Sequence, residues 1–131
     1  MEQTLFIIKP DGVTRHLIGE IITRFENKNF RFVKLKMFTF DQDTATKFYH
    51  VHADKPFFNE LISFITSGEV VAAIIEGNNA IQATRILVGS TKSFEAEPGS
   101  IRGDYALELT SNIIHASDSK QNFEMESKII F

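Results

Sequence analysis

Short branched apolar runs recur along this chain, and stretches of helical periodicity lie between them. Leu5-Phe6-Ile7-Ile8, within Thr4 to Lys9, and Val70 to Ile75, within Val70 to Glu76, lack a polar face. The first reads as a strand buried on both faces, which needs cover from both sides, and the second as a further strand. Ile18, Ile21, Ile22 and Phe25 recur at i, i+3, i+4 and i+7, the stripe of an amphipathic helix, and Asn29 suits a left-handed cap after it. From Arg31 to Thr39, Val33, Leu35 and Met37 alternate with Lys34, Lys36 and Phe38, which predicts a strand with unequal faces and the lysines toward solvent.

Further on, Asp41 and Asp43 can cap a short helix carrying Ala45, Phe48, Tyr49 and His52. Pro56 opens a second helix with Phe57, Phe58, Leu61, Ile62 and Ile65, closed by Gly68. A third follows Gly77-Asn78-Asn79, with Ala80, Ile81, Thr84, Leu87 and Val88 on one side and Gly89 at its end. Residues 90–101 have no periodicity and read as a long loop. A short helix is expected over Asp104–Leu109. A last strand carries Ile113 and Ile114 and ends at His115, and a helix over Ser119–Ser127 leads to an extended tail, Ile129–Phe131. Strand, helix, strand, helices, strand, helix, loop, strand, helix gives two β-α-β units on one antiparallel sheet. The expected fold is therefore α/β (α+β): a ferredoxin-like α/β sandwich, a four-stranded antiparallel sheet covered by helices, in a single domain over residues 1–131.

Composition removes several function classes. A formal net charge of −3 argues against a nucleic-acid surface, so a phosphate-bearing ligand needs a local basic cluster. With no Cys there is no disulfide framework, thiolate zinc site or cysteine nucleophile. The N-terminal apolar run is short and lacks a basic leader, and no run approaches a membrane span, which points to a cytoplasmic protein with no membrane partner. Neither a Gly-x-x-x-x-Gly-Lys-Ser/Thr loop nor a Gly-x-Gly-x-x-Gly turn occurs, so phosphates would have to be held by separate cationic side chains. His16, His50 and His52 suggest no metal pair, since His50 and His52 at i, i+2 would point to different helix faces.

The most informative stretch is Asn112-Ile-Ile-His-Ala-Ser-Asp-Ser119. On position alone His115 reads as a buried histidine filling a turn. Asp118, with Gln121 three residues on, fits a capping box at the start of the following helix, whose N-terminus would favour a nearby phosphoryl group. The eight residues together closely resemble the active-site signature of the nucleoside diphosphate kinases. Five further motifs, in matching order, are similar to that family: Lys9-Pro-Asp-Gly12, Tyr49, Asp54-Lys-Pro-Phe-Phe58, Gly89-Ser-Thr91 and Ser100-Ile-Arg-Gly-Asp104. Ala116 stands where many members have glycine, and Lys92-Ser93-Phe94 where many have Asn-Pro.

The resemblance implies a nucleoside diphosphate kinase, a ping-pong phosphotransferase. His115 would take the γ-phosphoryl group of a nucleoside triphosphate, typically ATP, on Nδ1 and pass it to a diphosphate. Glu126 would support the imidazole, Ser117 that glutamate, and the Tyr49 phenol would point toward the histidine. Lys9, Arg85, Arg102 and Thr91 would hold the phosphates; as isolated residues Lys9 is equally a solvated strand end and Arg85 a surface arginine. Phe57 and Leu61, core by composition alone, would clamp the base, and Asn112 would read the sugar hydroxyls. A stacking clamp tolerates any base, so broad use of ribo- and deoxyribonucleoside di- and triphosphates is expected. Mg2+ would arrive on the phosphates with no direct protein ligand, Asp118 reaching it through water unless capping occupies it. Members assemble as homo-oligomers, most often hexamers, with tetramers also known.

Overall fold

The computed structural model describes residues 1–131. Strand β1 (Glu2–Ile8) lies inside the sheet, paired antiparallel with β3 (Val70–Gly77) on one side and β4 (Ile114–Ala116) on the other. Strand β2 (Arg31–Phe38) pairs with β3, so the order is β2-β3-β1-β4. Helix α1 (Pro10–Thr14) and helix α2 (Ile18–Asn27) connect β1 to β2, and α5 (Ala80–Val88) follows β3 and precedes β4. Each connection joins parallel strands separated by one antiparallel neighbour, the interlocked split β-α-β arrangement of the expected ferredoxin-like fold.

Two cores explain the unbroken apolar runs. On one face Phe6 and Ile8 pack with Ile21 and Phe25 of α2 and Val88 of α5, and the Phe6 and Phe25 rings stack at 4.2 Å. On the other, Leu5 and Ile7 meet residues of α3 (Gln42–Phe48), α4 (Phe58–Ile65) and α7 (Lys120–Ile130). Because β1 is buried on both sides, successive side chains enter opposite cores and every position from Leu5 to Ile8 is apolar. Gly12 lets α1 approach closely: a Cβ there would lie 2.7 Å from Ile8 Cγ2.

The structure corrects several local expectations. The helix placed at 104–109 is α6 (Ile101–Tyr105), started by Ser100, whose hydroxyl accepts the Gly103 N–H at 3.0 Å. The tail 129–131 is not extended: α7 runs to Ile130, because Ile130 is buried in the second core. Ser119, not Asp118, caps α7 by accepting the Asn122 N–H at 3.1 Å, while Asp118 accepts the Asn122 side-chain amide. His115 is the middle residue of β4, not its end. In β2 Lys34 and Lys36 face solvent as expected, over the Phe131 ring, but after a register shift between Phe32 and Lys34 the side chains of Leu35 and Met37 on the other face are exposed too.

Candidate active site

The site is built where β1 ends and β4 begins. Antiparallel pairing sets His115 opposite Ile7, and Lys9 follows immediately after β1. Lys9 is buried, and its Nζ donates to Asn112 Oδ1 at 2.7 Å and to the Thr110 carbonyl at 3.5 Å. Asn112 is also buried, and its Nδ2 donates to the Leu109 carbonyl at 2.9 Å. Arg102 reaches across from α6: Nη1 to the Gly89 carbonyl at 3.0 Å, Nη2 to that of Ile114 at 2.6 Å and Nε to that of Asn112 at 3.4 Å. From α5, Arg85 Nη1 donates to the Ala116 carbonyl at 3.4 Å. The two arginines thus hold the carbonyls immediately before and after His115, each with further N–H groups left for a ligand.

The imidazole is held on several sides. Its Nε2 stands 3.0 Å from Glu126 Oε1, which also accepts the Ser117 hydroxyl at 2.6 Å. Phe48 meets the ring edge-on at 5.1 Å and Tyr49 at 6.2 Å, and the buried Tyr49 hydroxyl has no partner in the chain. An Nε2–H donated to the carboxylate leaves the Nδ1 lone pair free, and the side chain keeps 20% of its surface open. That is the tautomer a nucleophile needs. Glu126→Ala is expected to slow phosphoryl uptake by about 10- to 100-fold, as for histidines that lose an outer hydrogen-bond partner at metal sites. Single-turnover kinetics checks this; an unchanged rate would show that Phe48 and Tyr49 alone fix the ring.

Lys9, Arg85 and Arg102 concentrate positive charge at the site although the chain is acidic overall. Burial, with repulsion from Arg102 adding to it, pulls the Lys9 ammonium down from 10.5 to about 7 against the opposing attraction of Asp11. Arg102 is lowered to about 10, first by burial and then by Arg85. The Tyr49 phenol is pushed up by burial, with Glu126 adding to it, and stays neutral. Phosphate brought against Lys9 restores its proton, so the affinity Lys9 contributes is greatest below about pH 7 and falls as pH rises. Nucleotide binding at pH 8 is therefore expected to take up about one proton per site. Calorimetry in two buffers of different ionisation enthalpy measures it, and uptake that persists in Lys9→Gln rules out Lys9 as its source.

Sequence and structure agree unevenly here. Lys9, Asn112, Arg102, Arg85, His115, Glu126, Ser117 and Tyr49 are joined by the contacts described above. Phe57 is 42% exposed at the start of α4, whereas Leu61 is packed in the second core. Thr91 is exposed in the loop, and Ser93 of the altered Lys92-Ser93-Phe94 segment is buried within a short turn. Asp118 is exposed beside the start of α7. Three residues escaped the sequence reading. Phe48 was hidden by its helical spacing as one more core residue. His52 was set aside with the other histidines, yet its ring lies 5.7 Å from that of Phe57 and its buried Nδ1 has no partner. Asp11 was named only as part of Lys9-Pro-Asp-Gly12, yet its Oδ2 accepts the Ile113 N–H at 3.0 Å.

A sequence profile of the nucleoside diphosphate kinase family matches residues 2–131. The chain belongs to the nucleoside diphosphate kinase family. Among proteins named nucleoside diphosphate kinase, one from Hyperthermus butylicus is 52% identical over 131 residues, covering 100% of this chain and 92% of its own. Another, from Picrophilus torridus, is 51% identical with 95% of its length covered. A nucleoside diphosphate kinase structure from Halobacterium salinarum, in complex with CDP, superposes with a TM-score of 0.96 at 45% identity, covering 99% of this chain and 87% of that one. The Aquifex aeolicus enzyme does so at 0.95 and 42%, covering 99% and 94%. Family membership makes this chain an enzyme that transfers phosphate between nucleotides, a nucleoside diphosphate kinase.

Proposed function

We propose that the transfer runs through His115 as a transient phosphohistidine. Nδ1 attacks the γ-phosphorus of a nucleoside triphosphate, the bond from that phosphorus to the β-γ bridging oxygen breaks, and the diphosphate leaves. A second diphosphate then takes the phosphoryl group by the reverse path, so one site serves both substrates in turn. The observation that supports this best is the 3.0 Å contact of His115 Nε2 with Glu126, which leaves Nδ1 as the free nitrogen. Lys9, Arg85 and Arg102 hold the phosphates and stabilise charge that develops in transfer, with Thr91 donating a hydroxyl. Tyr49 steadies the histidine. Asn112 reads the sugar, and Phe57 stacks on the base with Leu61 packed behind it, which suits ribo- and deoxyribonucleotides of any base.

Phosphotransfer in this family typically uses a divalent metal, and we assign Mg2+. No group of three His, Asp or Glu side chains is placed to hold a bare ion. In this reading the ion is carried in on phosphate oxygens and water, with Asp118 reaching it through a water. When bound, the ion supplies charge neutralisation on the phosphates. We also read the enzyme as a homo-oligomer, a hexamer in preference to a tetramer. Leu35 and Met37, exposed on the edge strand β2, support a covered face there, and light scattering measures the subunit number. No helix is long and apolar enough to cross a membrane, and the same reading places the enzyme in the cytoplasm with its substrates. Mixing the protein with γ-labelled ATP and Mg2+ without acceptor is expected to leave acid-labile label on the protein. Absence of label refutes the phosphohistidine.

A further inference from the structure

The backbone just ahead of His115 has an unusual conformation. Ile113 has φ 76°, a left-handed region that a β-branched residue occupies only against strain. The Ile114 N–H donates to the Asn112 carbonyl at 2.9 Å, so these three residues close a γ-turn. Such a turn persists only where its surroundings over-determine it. Here the Ile113 side chain is fully buried and its carbonyl accepts the Lys9 N–H at 2.8 Å. Its N–H donates to Asp11 Oδ2 at 3.0 Å, from the first turn of α1 more than a hundred residues away in sequence. The other Asp11 oxygen is buried without a partner, and burial raises the carboxyl above its ordinary range. Besides attracting the Lys9 ammonium, this carboxylate is kept at that cost against the Ile113 N–H, which calls for an explanation beyond turn formation.

We propose that Asp11 is a positioning residue for phosphoryl transfer: by accepting the Ile113 N–H it holds the γ-turn that sets both Asn112, the partner of Lys9, and His115. Asp11 makes no hydrogen bond to His115 and acts through the backbone. Without that acceptor, the strained turn has a route back to negative φ, which shifts the start of β4. The carbonyls of Asn112 and Ile114, on which Arg102 is braced, move with it. The cations and the nucleophile would then lose their common alignment while each side chain remained present.

The inference rests on His115 as the phosphoryl carrier, and the test separates the two. Asp11→Ala and Asp11→Asn are compared with the unaltered protein in single-turnover phosphorylation by ATP and in steady-state exchange. Loss of alignment by a fraction of an ångström is expected to lower kcat by about tenfold or more with KM changed little in Asp11→Ala. Asp11→Asn, whose amide oxygen still accepts the Ile113 N–H, is expected to recover kcat to within about threefold. A wild-type kcat in Asp11→Ala overturns the proposal, as does a folded Asp11→Asn as impaired as the alanine variant. If Asp11→Ala does not fold, Asp11→Asn decides: near-native kcat supports the backbone role, and a tenfold loss overturns it. Absence of label on His115 in the unaltered protein refutes the carrier reading itself and removes the positioning role with it.

Discussion

Replacing His115 with alanine is expected to abolish phosphoryl exchange between nucleotides, by on the order of 10^4-fold or more, while nucleotide affinity changes by less than about threefold. The asymmetry follows from which groups do which work. Lys9 is anchored to Asn112 and Arg102 to three backbone carbonyls, none of which involves the imidazole. The Ser117–Glu126 hydrogen bond also survives the substitution. The phosphate cradle therefore stands without the nucleophile, and binding and chemistry come apart. Equilibrium binding of a nucleoside diphosphate, beside exchange of label between ATP and a second diphosphate, measures both. Exchange at even one per cent of the native rate in His115→Ala would falsify the covalent route and favour direct transfer between bound nucleotides.

The second large effect is expected at Arg102, where the proposed reading puts stability and catalysis on one side chain. It is buried, and its fork satisfies the carbonyls of Gly89, Asn112 and Ile114. Arg102→Ala leaves those carbonyls short of a donor, at about 1–3 kcal/mol for each that water does not reach, so a total loss on the order of 3 kcal/mol is expected. On the proposed reading the same variant also removes a cation from the transferring phosphates, for which a loss of about a hundredfold in kcat/KM or more is expected. Arg102→Lys separates the two roles. A lysine keeps the charge but cannot span three carbonyls from one planar group, so part of the activity returns while most of the stability loss remains. Urea unfolding of both variants checks the first point and steady-state kinetics the second. Full stability in Arg102→Lys would show that the carbonyls do not depend on the fork.

Both effects bear on how much could be read without the structure. The unbroken apolar run at 5–8 announced a strand covered on two faces and that at 70–75 a further strand, and the helical stripes between them supplied the covering layers. His115 and its surrounding motif stand out in the sequence because the motif's residue types follow one another in a fixed local order. Errors came where a distant contact overrode local pattern. Residues 129–131 were expected as an extended tail, but α7 runs to Ile130, which is buried in the second core. The alternation in β2 assigned Leu35 and Met37 to the interior, but one bulge and an uncovered stretch of sheet leave both in solvent. Ser119 displaced Asp118 as the cap because a one-residue shift of the helix start alters nothing in the apolar stripe.

What the sequence by itself determined is the cast and the fold class: strands and helices in an order that gives a ferredoxin-like sandwich, a histidine in a family signature, and three cations far apart in the chain. Periodicity and motif order depend only on neighbours in sequence, so they can be read from it directly. Only the tertiary structure decided how the cast is arranged. It placed Glu126 on Nε2 and left Nδ1 free, turned Arg102 into a brace for the backbone on which His115 sits, and brought Asp11 against a strained turn across a separation of 102 residues. Those relations arise where sheet pairing and helix packing bring remote segments together, and no local pattern records them.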